Sequence, residues 1–381
     1  MKVVLGITGS IAGYKALELI RHLRREGHEV RVILTKSALN FVTPLSCQTL
    51  SENEVYIDQF VLTKGIKHIA LNEWADILVI APATANVIGK AASGIGDDLL
   101  STTIISFQKP VLFVPAMDSG MWNNKIVQEN IRKLIANGFH ILKPETGPLA
   151  SGKIGKGRFP AVSRIYKKIL VCVGNYRSLN GRKILISGGR TEEDIDSVRV
   201  ITNRASGTMA MELYEAGLCR DGEMRLIMGQ ANIPVPEESG IFRVRTAAEM
   251  FEILKEHIEW SEVLIMNAAV GDYKPIQRNE SKIHAQNLTL NLERNVDILK
   301  ALCPYKKDRI FIGFSVEDKD NVKRAGEKLK EKGLDYIVAN PVSVIGKTTT
   351  EALILDKNGK HIEPGPMTKW ELANYILDLI T

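Results

Sequence analysis

The sequence predicts an α/β protein built from two tandem open, mainly parallel-sheet, Rossmann-like domains. Three observations predict it. Short continuous apolar runs alternate with segments of helical spacing, the pattern restarts near residue 181, and 381 residues exceed what one core comfortably organises.

The first run, VVLGIT (3–8), precedes KALELIRHLRR (15–25), in which Ala16, Leu19, Ile20 and Leu23 share one helical face. EVRVILT (29–35), DILVIAPAT (76–84), VLFVPAM (111–117) and HILKP (140–144) follow as strands. Runs that are apolar throughout, rather than alternating, belong to parallel sheets covered on both faces. The second series opens with GRKILISGGR (181–190). MRLIMGQ (224–230), VLIMNAAVGDY (263–273), RIFIGFSVE (309–317) and DYIVANP (335–341) continue it, and EALILD (351–356) reads as a late hairpin strand. Turn formers in GNYRSLNGR (174–182) break the apolar run, which places the domains at 1–175 and 181–381.

Composition sets the broad class. With 45% hydrophobic and 25% charged residues, both halves have the material for a core. A net charge of +6, spread along the chain, suits small anionic ligands; without a basic arm it gives no sign of nucleic acid. Cys47, Cys172, Cys219 and Cys303 are scattered and form no C-x-x-C, so a reducing compartment is expected. The apolar run in MKVVLGITGS is too short for a signal sequence, and no stretch is long and apolar enough to span a bilayer. The expected location is the cytoplasm, with no membrane contact.

Ligands of open α/β sheets bind beyond the carboxyl ends of the strands. TGSIAGYK (8–15) lies at such an end; its Gly6, Gly9 and Gly13 do not form the dinucleotide G-x-G-x-x-G. Thr8 and Ser10 beside a helix start fit either a tight turn or a single-phosphate site. APATAN (81–86) offers Thr84 and Asn86 either as a helix cap or as partners of a flat ring. His68 is either packed or catalytic. The segment 146–165, rich in glycine and in Lys153, Lys156, Arg158 and Arg164, reads as a solvated loop or as a flap over an anion. In the second half, the long polar passage 187–210, NAAVGDYKP (267–275) with Asp272 and Lys274, and SKIHAQ (281–286) with Lys282 and His284 bring cations and an acid to strand ends. That set suits a nucleoside triphosphate with Mg²⁺, or ordinary turns.

Seven of these pieces, in order, carry a resemblance: GITGSIAGYKA, HIALNEWAD, APATANVIGKAASGIGDDLLSTT, PAMDSGMW, SGGRTEEDIDSVRVITNRASG, NAAVGDYKP and GFSVE. Over nearly the whole chain the sequence resembles the bifunctional coenzyme A biosynthesis flavoproteins, which join a phosphopantothenoylcysteine decarboxylase to a phosphopantothenate–cysteine ligase. The resemblance implies a flavodomain first. Thr8, Gly9, Ser10 and Thr35 would serve the phosphate and ribityl chain of FMN, with Ala83, Thr84, Asn86 and Ser101 near its ring. His68 would be the catalytic histidine, and Met117, Asp118 and Met121 the substrate clamp. In the ligase half Asn203 would hold an acyl-cytidylate, with Asp272, Lys282, Phe314 and Lys332 at the nucleotide. The implied partners are 4′-phosphopantothenate, cysteine and CTP with Mg²⁺, whose protein ligands are unassigned. The implied assembly is a homo-oligomer of trimers and dimers.

The chain departs from the family pattern in four places. Asp118 stands where the clamp usually has Asn, and Ser151 where the flap has Cys. An ionised Asp repels a neighbouring carboxylate, and a hydroxyl is a weaker acid than a thiol. His284 and Thr208 replace lysines, and only a protonated imidazole keeps that charge, so a slower or more pH-sensitive ligase is expected. The first pair reads as a coupled variant in a working decarboxylase. The alternatives are a ligase with an impaired FMN-binding domain and an FMN-holding regulatory subunit.

Overall fold

The structure, a computed structural model, describes residues 1–60, 66–174, 176–285, 287–317, 321–341 and 349–381. The chain divides into two compact units, Met1–Asn175 and Tyr176–Thr381.

The first unit contains β1 (Lys2–Ile7), α1 (Gly13–Arg25), β2 (Glu29–Leu34), α2 (Pro44–Ser51), β3 (Val55–Tyr56), α3 (Lys67–Trp74), β4 (Ile77–Ala83) and α4 (Ala85–Ser93). It continues with α5 (Leu99–Ser106), β5 (Val111–Pro115), α6 (Ser119–Trp122), α7 (Lys125–Ala136), β6 (His140–Ile141), β7 (Glu145–Pro148), β8 (Ile154–Arg158) and α8 (Val162–Val173). Six strands form one parallel sheet in the order β3-β2-β1-β4-β5-β6. Alternate strand residues feed two cores. Val3, Leu5 and Ile7 pack with Ala16, Leu19 and Ile20 of α1 and Ile165 and Ile169 of α8. Val4, Leu78 and Ile80 pack with Val87, Ile88, Leu100 and Leu134 on the other face. Full burial of each such Leu, Ile or Val stabilises by about 1.5–3 kcal/mol. That double coverage is why the strands read as unbroken apolar runs.

The chain winds outward from β1 through β2 and β3, then returns to lay β4 on the opposite side of β1. The carboxyl ends of β1 and β4 therefore diverge into a crevice. The segment 146–165, expected as a loop, holds the antiparallel hairpin β7–β8. Its polar, glycine-rich sequence lacks the alternation that marks a half-buried strand.

The second unit repeats the plan with β9 (Lys183–Gly188), β10 (Glu192–Asp194), β11 (Val200–Thr202), α9 (Thr208–Cys219), β12 (Glu223–Met228), β13 (Ile241–Arg243), α10 (Ala247–Ile258) and β14 (Val263–Met266). After it come β15 (Tyr273–Pro275), β16 (Leu292–Arg294), α11 (Ile298–Leu302), β17 (Ile310–Glu317), α12 (Asn321–Glu331) and β18 (Tyr336–Pro341). The last elements are β19 (Thr349–Thr350), β20 (Leu353–Asp356), β21 (His361–Ile362), β22 (Met367–Thr368) and α13 (Lys369–Asp378). The sheet order is β13-β12-β9-β14-β17-β18-β20-β21, parallel except for β20 and β21. Its switch point lies between β9 and β14. The late strand expected at 351–356 pairs antiparallel with β18 and β21. The polar passage 187–210 contains the small hairpin β10–β11. No helix among the described residues is long and apolar enough to cross a membrane.

Candidate active sites

In the first unit a cavity of ≈ 470 Å³ opens at the switch point. Three elements wall it: the loop from Gly9 to Lys15, the β5 exit from Ala116 to Met121, and the hairpin flap with Pro148–Ser151 and Gly157–Phe159; Thr84 and Ala85 complete the rim. Thr8 is not on the wall. It is buried, donating from Oγ1 to the Pro82 carbonyl at 2.7 Å and accepting from the Thr84 N–H at 3.1 Å. One hydroxyl thus ties together the two loops that flank the crevice. Thr84 caps α4, accepting from the Val87 N–H. Helix α1 starts without a side-chain cap beside Ser10, and the helix dipole favours an anion there.

The β5 exit is stitched to the flap. The Met117 N–H donates to the Gly157 carbonyl at 3.1 Å, and Ser119 Oγ donates to the Lys156 carbonyl at 2.9 Å. Asp118 caps the short α6 through Oδ1, which accepts from the Gly120 N–H at 2.8 Å. Its Oδ2 accepts from Ser151 Oγ at 3.2 Å. The two positions that depart from the family pattern are therefore in direct contact across 33 residues of chain. The Gly120 N–H, followed by Ser151 and the Lys153 charge, holds the Asp118 carboxyl below the usual carboxylate range against a smaller opposing effect of burial.

Of the expected residues, Gly9, Ser10, Thr84, Met117, Asp118, Met121 and Ser151 border this cavity. Thr35 instead caps a 3₁₀ turn over Lys36–Asn40. Ser101 completes a capping box with Asp98, Ala83 is buried in β4, and Asn86 is exposed on α4. His68 is half-buried on α3, away from the cavity wall. Arg158, one of the flap cations named in the sequence, lines the cavity; Lys15 also lines it and was not singled out, because an isolated basic residue carries no spacing signal. A flat flavin fits the donor set: Ser10, Thr84 and the uncapped α1 for one phosphate, and Tyr14, Met117, Met121 and Leu149 for an apolar ring.

In the second unit a cavity of ≈ 850 Å³ lies beyond the carboxyl ends of β9, β14, β17 and β18. Arg204, Arg294, Lys328, Lys332 and Lys369 line it, against the acids Asp272 and Asp297. That excess of cations suits a polyanion. Asn203 is fixed by donation from Nδ2 to the Val270 carbonyl at 2.9 Å, and Lys332 pairs with Asp297 at 3.2 Å. Burial lowers the Lys369 ammonium from its ordinary value, with Glu212 opposing. Ser315 Oγ and Asn340 Oδ1 are buried on this wall and have no hydrogen-bond partner among the described residues. Phe314 also faces the cavity, whereas Lys282 and His284 are exposed and do not line it. Between them Ile283 is clamped. Its N–H donates to Asp196 Oδ2 at 3.1 Å, and its carbonyl accepts from Arg199 Nη1 at 3.1 Å. Sequence reasoning missed Arg204, Arg294, Lys369, Ser315 and Asn340, which gather only when four strand ends are brought side by side.

The chain matches the family described as "Flavoprotein" over residues 1–174 and the "DNA/pantothenate metabolism flavoprotein C-terminal domain" over 179–381. The coenzyme A biosynthesis bifunctional protein CoaBC of Bacillus subtilis (strain 168) is 39% identical over 99% of this chain and 96% of its own length. The same-named protein of Borreliella burgdorferi is 35% identical over 99% and 98%. A cysteine/cysteine sulfinic acid decarboxylase from an unknown prokaryotic organism is 36% identical over 88% and 98%. With both half-chain families matched and whole-length relatives of one kind, the chain belongs to the coenzyme A biosynthesis bifunctional protein CoaBC family.

Proposed function

We propose that the chain performs two consecutive steps of coenzyme A biosynthesis: CTP-dependent ligation of cysteine to 4′-phosphopantothenate in the second unit, then FMN-dependent decarboxylation of phosphopantothenoylcysteine to 4′-phosphopantetheine in the first. The observation that carries this reading is one chain holding both a flap-covered crevice fit for a monophosphate ligand and a separate cation-lined cavity fit for a triphosphate. The setting is the cytoplasm, in keeping with scattered cysteines that form no C-x-x-C, and the working form is a homo-oligomer.

In the ligase step the substrate carboxylate attacks the α-phosphorus of CTP and pyrophosphate leaves. The cysteine amine then attacks the acyl carbon of the mixed anhydride, and CMP leaves. Lys332, Arg204 and Lys369 balance the phosphates while Asn203, locked by Val270, orients the acyl group. No cluster of three or more His, Cys, Asp or Glu is present among the described residues. Asp272 and Asp297 are the cavity's carboxylates that would hold Mg²⁺, which would neutralise the nucleotide phosphates. His284 acts on the incoming cysteine beside the Asp196 clamp on Ile283.

In the decarboxylase step bound FMN supplies two-electron oxidation of the substrate thiol, which makes carbon dioxide a feasible leaving group. Ser10 and the α1 start hold its phosphate. The flap, pinned at Met117 and Ser119, excludes water, and Asp118 and Ser151 position the substrate.

The test supplies full-length protein with FMN, Mg²⁺, CTP, cysteine and 4′-phosphopantothenate, and follows products by mass. CMP, carbon dioxide and 4′-phosphopantetheine are expected. Accumulation of phosphopantothenoylcysteine would show a ligase with an impaired flavodomain. Loss of both steps with FMN bound would leave a regulatory subunit.

A further inference from the structure

Glu193 is a buried acid that neither reaction uses. Its neighbours in β10, Glu192 and Asp194, are half-buried and paired with arginines, whereas its own side chain turns inward and is 7% exposed. Glu193 Oε1 accepts from two neutral donors, the Ala247 N–H at 2.9 Å and Asn295 Nδ2 at 3.0 Å. The first bond lies at the start of α10, which Thr246 and Glu249 already close with a capping box. A further acid, costly to desolvate, is not needed to start that helix. The second bond reaches the wall of the second cavity. Asn295 lines it, and Glu193 is not among the described residues that do.

Asn295 joins the cavity's two carboxylates. Its N–H donates to the Asp272 carbonyl at 2.8 Å. Asp297 follows two residues on, capping α11 through Oδ1 and pairing with Lys332 through Oδ2 at 3.2 Å. The other side of Asp272 is held from the same segment as Glu193. Thr191, fully buried, accepts the Gly271 N–H on Oγ1 at 2.9 Å, and its own N–H donates to the Ala269 carbonyl at 3.3 Å. The turn carrying Asp272 is thus tied at Ala269, Gly271 and its own carbonyl, while Asp272 is exposed and lines the cavity.

We propose that Glu193 is a positioning residue of the ligase: through Asn295 it fixes where the Asp272 and Asp297 carboxylates stand, with Thr191 holding the opposite side of Asp272. This rests on the ligase reading of the second cavity. Carboxylates that share a divalent cation need a set separation, and the groups hydrogen-bonded behind them keep it. Loss of the Glu193 acceptor frees the Asn295 amide, so the Asp272 turn and the start of α11 are no longer tied to one point. The cations lining the cavity remain, and with them the attraction for the bare nucleotide. What is lost is the added affinity that a divalent cation brings.

The test measures CTP binding to the full-length protein by calorimetry, with Mg²⁺ and with a chelator in its place, and cysteine-dependent CMP release alongside. Wild type is expected to bind CTP more tightly with Mg²⁺. Glu193→Ala is expected to lose about tenfold to a hundredfold of that gain and to raise KM for CTP by a like factor, while binding in chelator is kept. Thr191→Val, which removes the hydroxyl and keeps the shape, is expected to lose part of the gain. Glu193→Gln, with an acceptor at the same reach, is expected to recover most of it. Thr246→Ala loosens the same helix start without touching Asn295, so it is expected to lower the urea midpoint and leave the Mg²⁺ gain unchanged. If Glu193→Ala does not fold, Thr191→Val decides alone. Equal CTP affinity of wild type with and without Mg²⁺, a folded variant whose gain matches wild type, or an equal loss in Thr246→Ala overturns the inference and keeps the ligase. A wild type that neither binds CTP nor releases CMP overturns both.

Discussion

At the scale of single residues, Asp118 and Ser151 are one unit, because Ser151 Oγ donates to Asp118 Oδ2 at 3.2 Å. A thiol at 151 would be a poor donor, and its thiolate would face an anion; an amide at 118 would lose the charge that Ser151 supports. Asp118→Asn and Ser151→Cys are each expected to slow decarboxylation, and the double variant to depart from the product of the two by more than about threefold. Carbon dioxide release in the four-protein cycle checks this, and simple additivity would refute the coupling. Asp196 gives a second prediction. Burial pushes its carboxyl up, but the N–H groups of Val198, Ile283 and Arg199 and the Arg199 guanidinium overcome that and bring it down to about 2. A folded value depressed from the usual ~3.9 stabilises fully above about pH 4 and is lost as pH falls through about 2. Asp196→Asn should therefore narrow its stability gap to wild type between pH 4 and 2, read from urea midpoints. It should also slow the cysteine step about tenfold or more by releasing Ile283, with Lys282 and His284 on either side. Unchanged CMP release with cysteine would detach the clamp from catalysis. The first pair was legible in the sequence as types, one acid and one serine out of place, but its contact was not, and Asp196 was not singled out at all. Nothing in a linear pattern tells that positions 118 and 151, or 196 and 283, meet.

At the scale of elements, legibility follows burial. The strands of both sheets were readable because β1, β4, β5, β9 and β14 are buried on both faces and so are apolar without interruption. The hairpins β7–β8 and β10–β11 were not, because strands of three to five residues, rich in glycine in β7–β8 and acidic in β10, are too short and too polar to show an apolar period. Yet β7–β8 closes the crevice. Its docking depends on Gly157, held at φ +147, where an added Cβ would collide with the Met117 carbonyl oxygen. A side chain there is strained by backbone and space together. Gly157→Ala should separate the flap from the β5 exit, leave the distant α/β core folded, and reduce decarboxylation by about a hundredfold. Stopped reactions with phosphopantothenoylcysteine would read it. Gly152→Ala is the control: it sits at the flap tip with φ +78 and open space around it, so its cost is local strain without a collision. Equal loss in both variants would mean that flap strain, not docking to Met117, decides the activity.

At the scale of the whole molecule, each unit carries its own sheet, switch point and pair of hydrophobic cores, which share no residue between units. The tandem plan was legible because the apolar pattern restarts, whereas the cations of the second cavity, Lys332 apart, come from segments spread from Arg204 to Lys369 and were not. Separate cores predict separable lesions. Asn203→Ala removes the donor to Val270 at the mouth of the second cavity, without touching any residue of the first unit. It should abolish most cysteine-dependent CMP release while carbon dioxide release from supplied phosphopantothenoylcysteine stays within about twofold of wild type. Gly157→Ala should give the reverse, with CMP release intact. Because the first step feeds the second, both variants will fail in a coupled assay from 4′-phosphopantothenate. Only the partial reactions tell them apart. Mixing the two variants then restores 4′-phosphopantetheine by diffusion of the amide intermediate between molecules, at a rate that rises with protein concentration. A mixture that stays inactive at every concentration, with both partial reactions intact, would mean that the intermediate is never released between the two cavities.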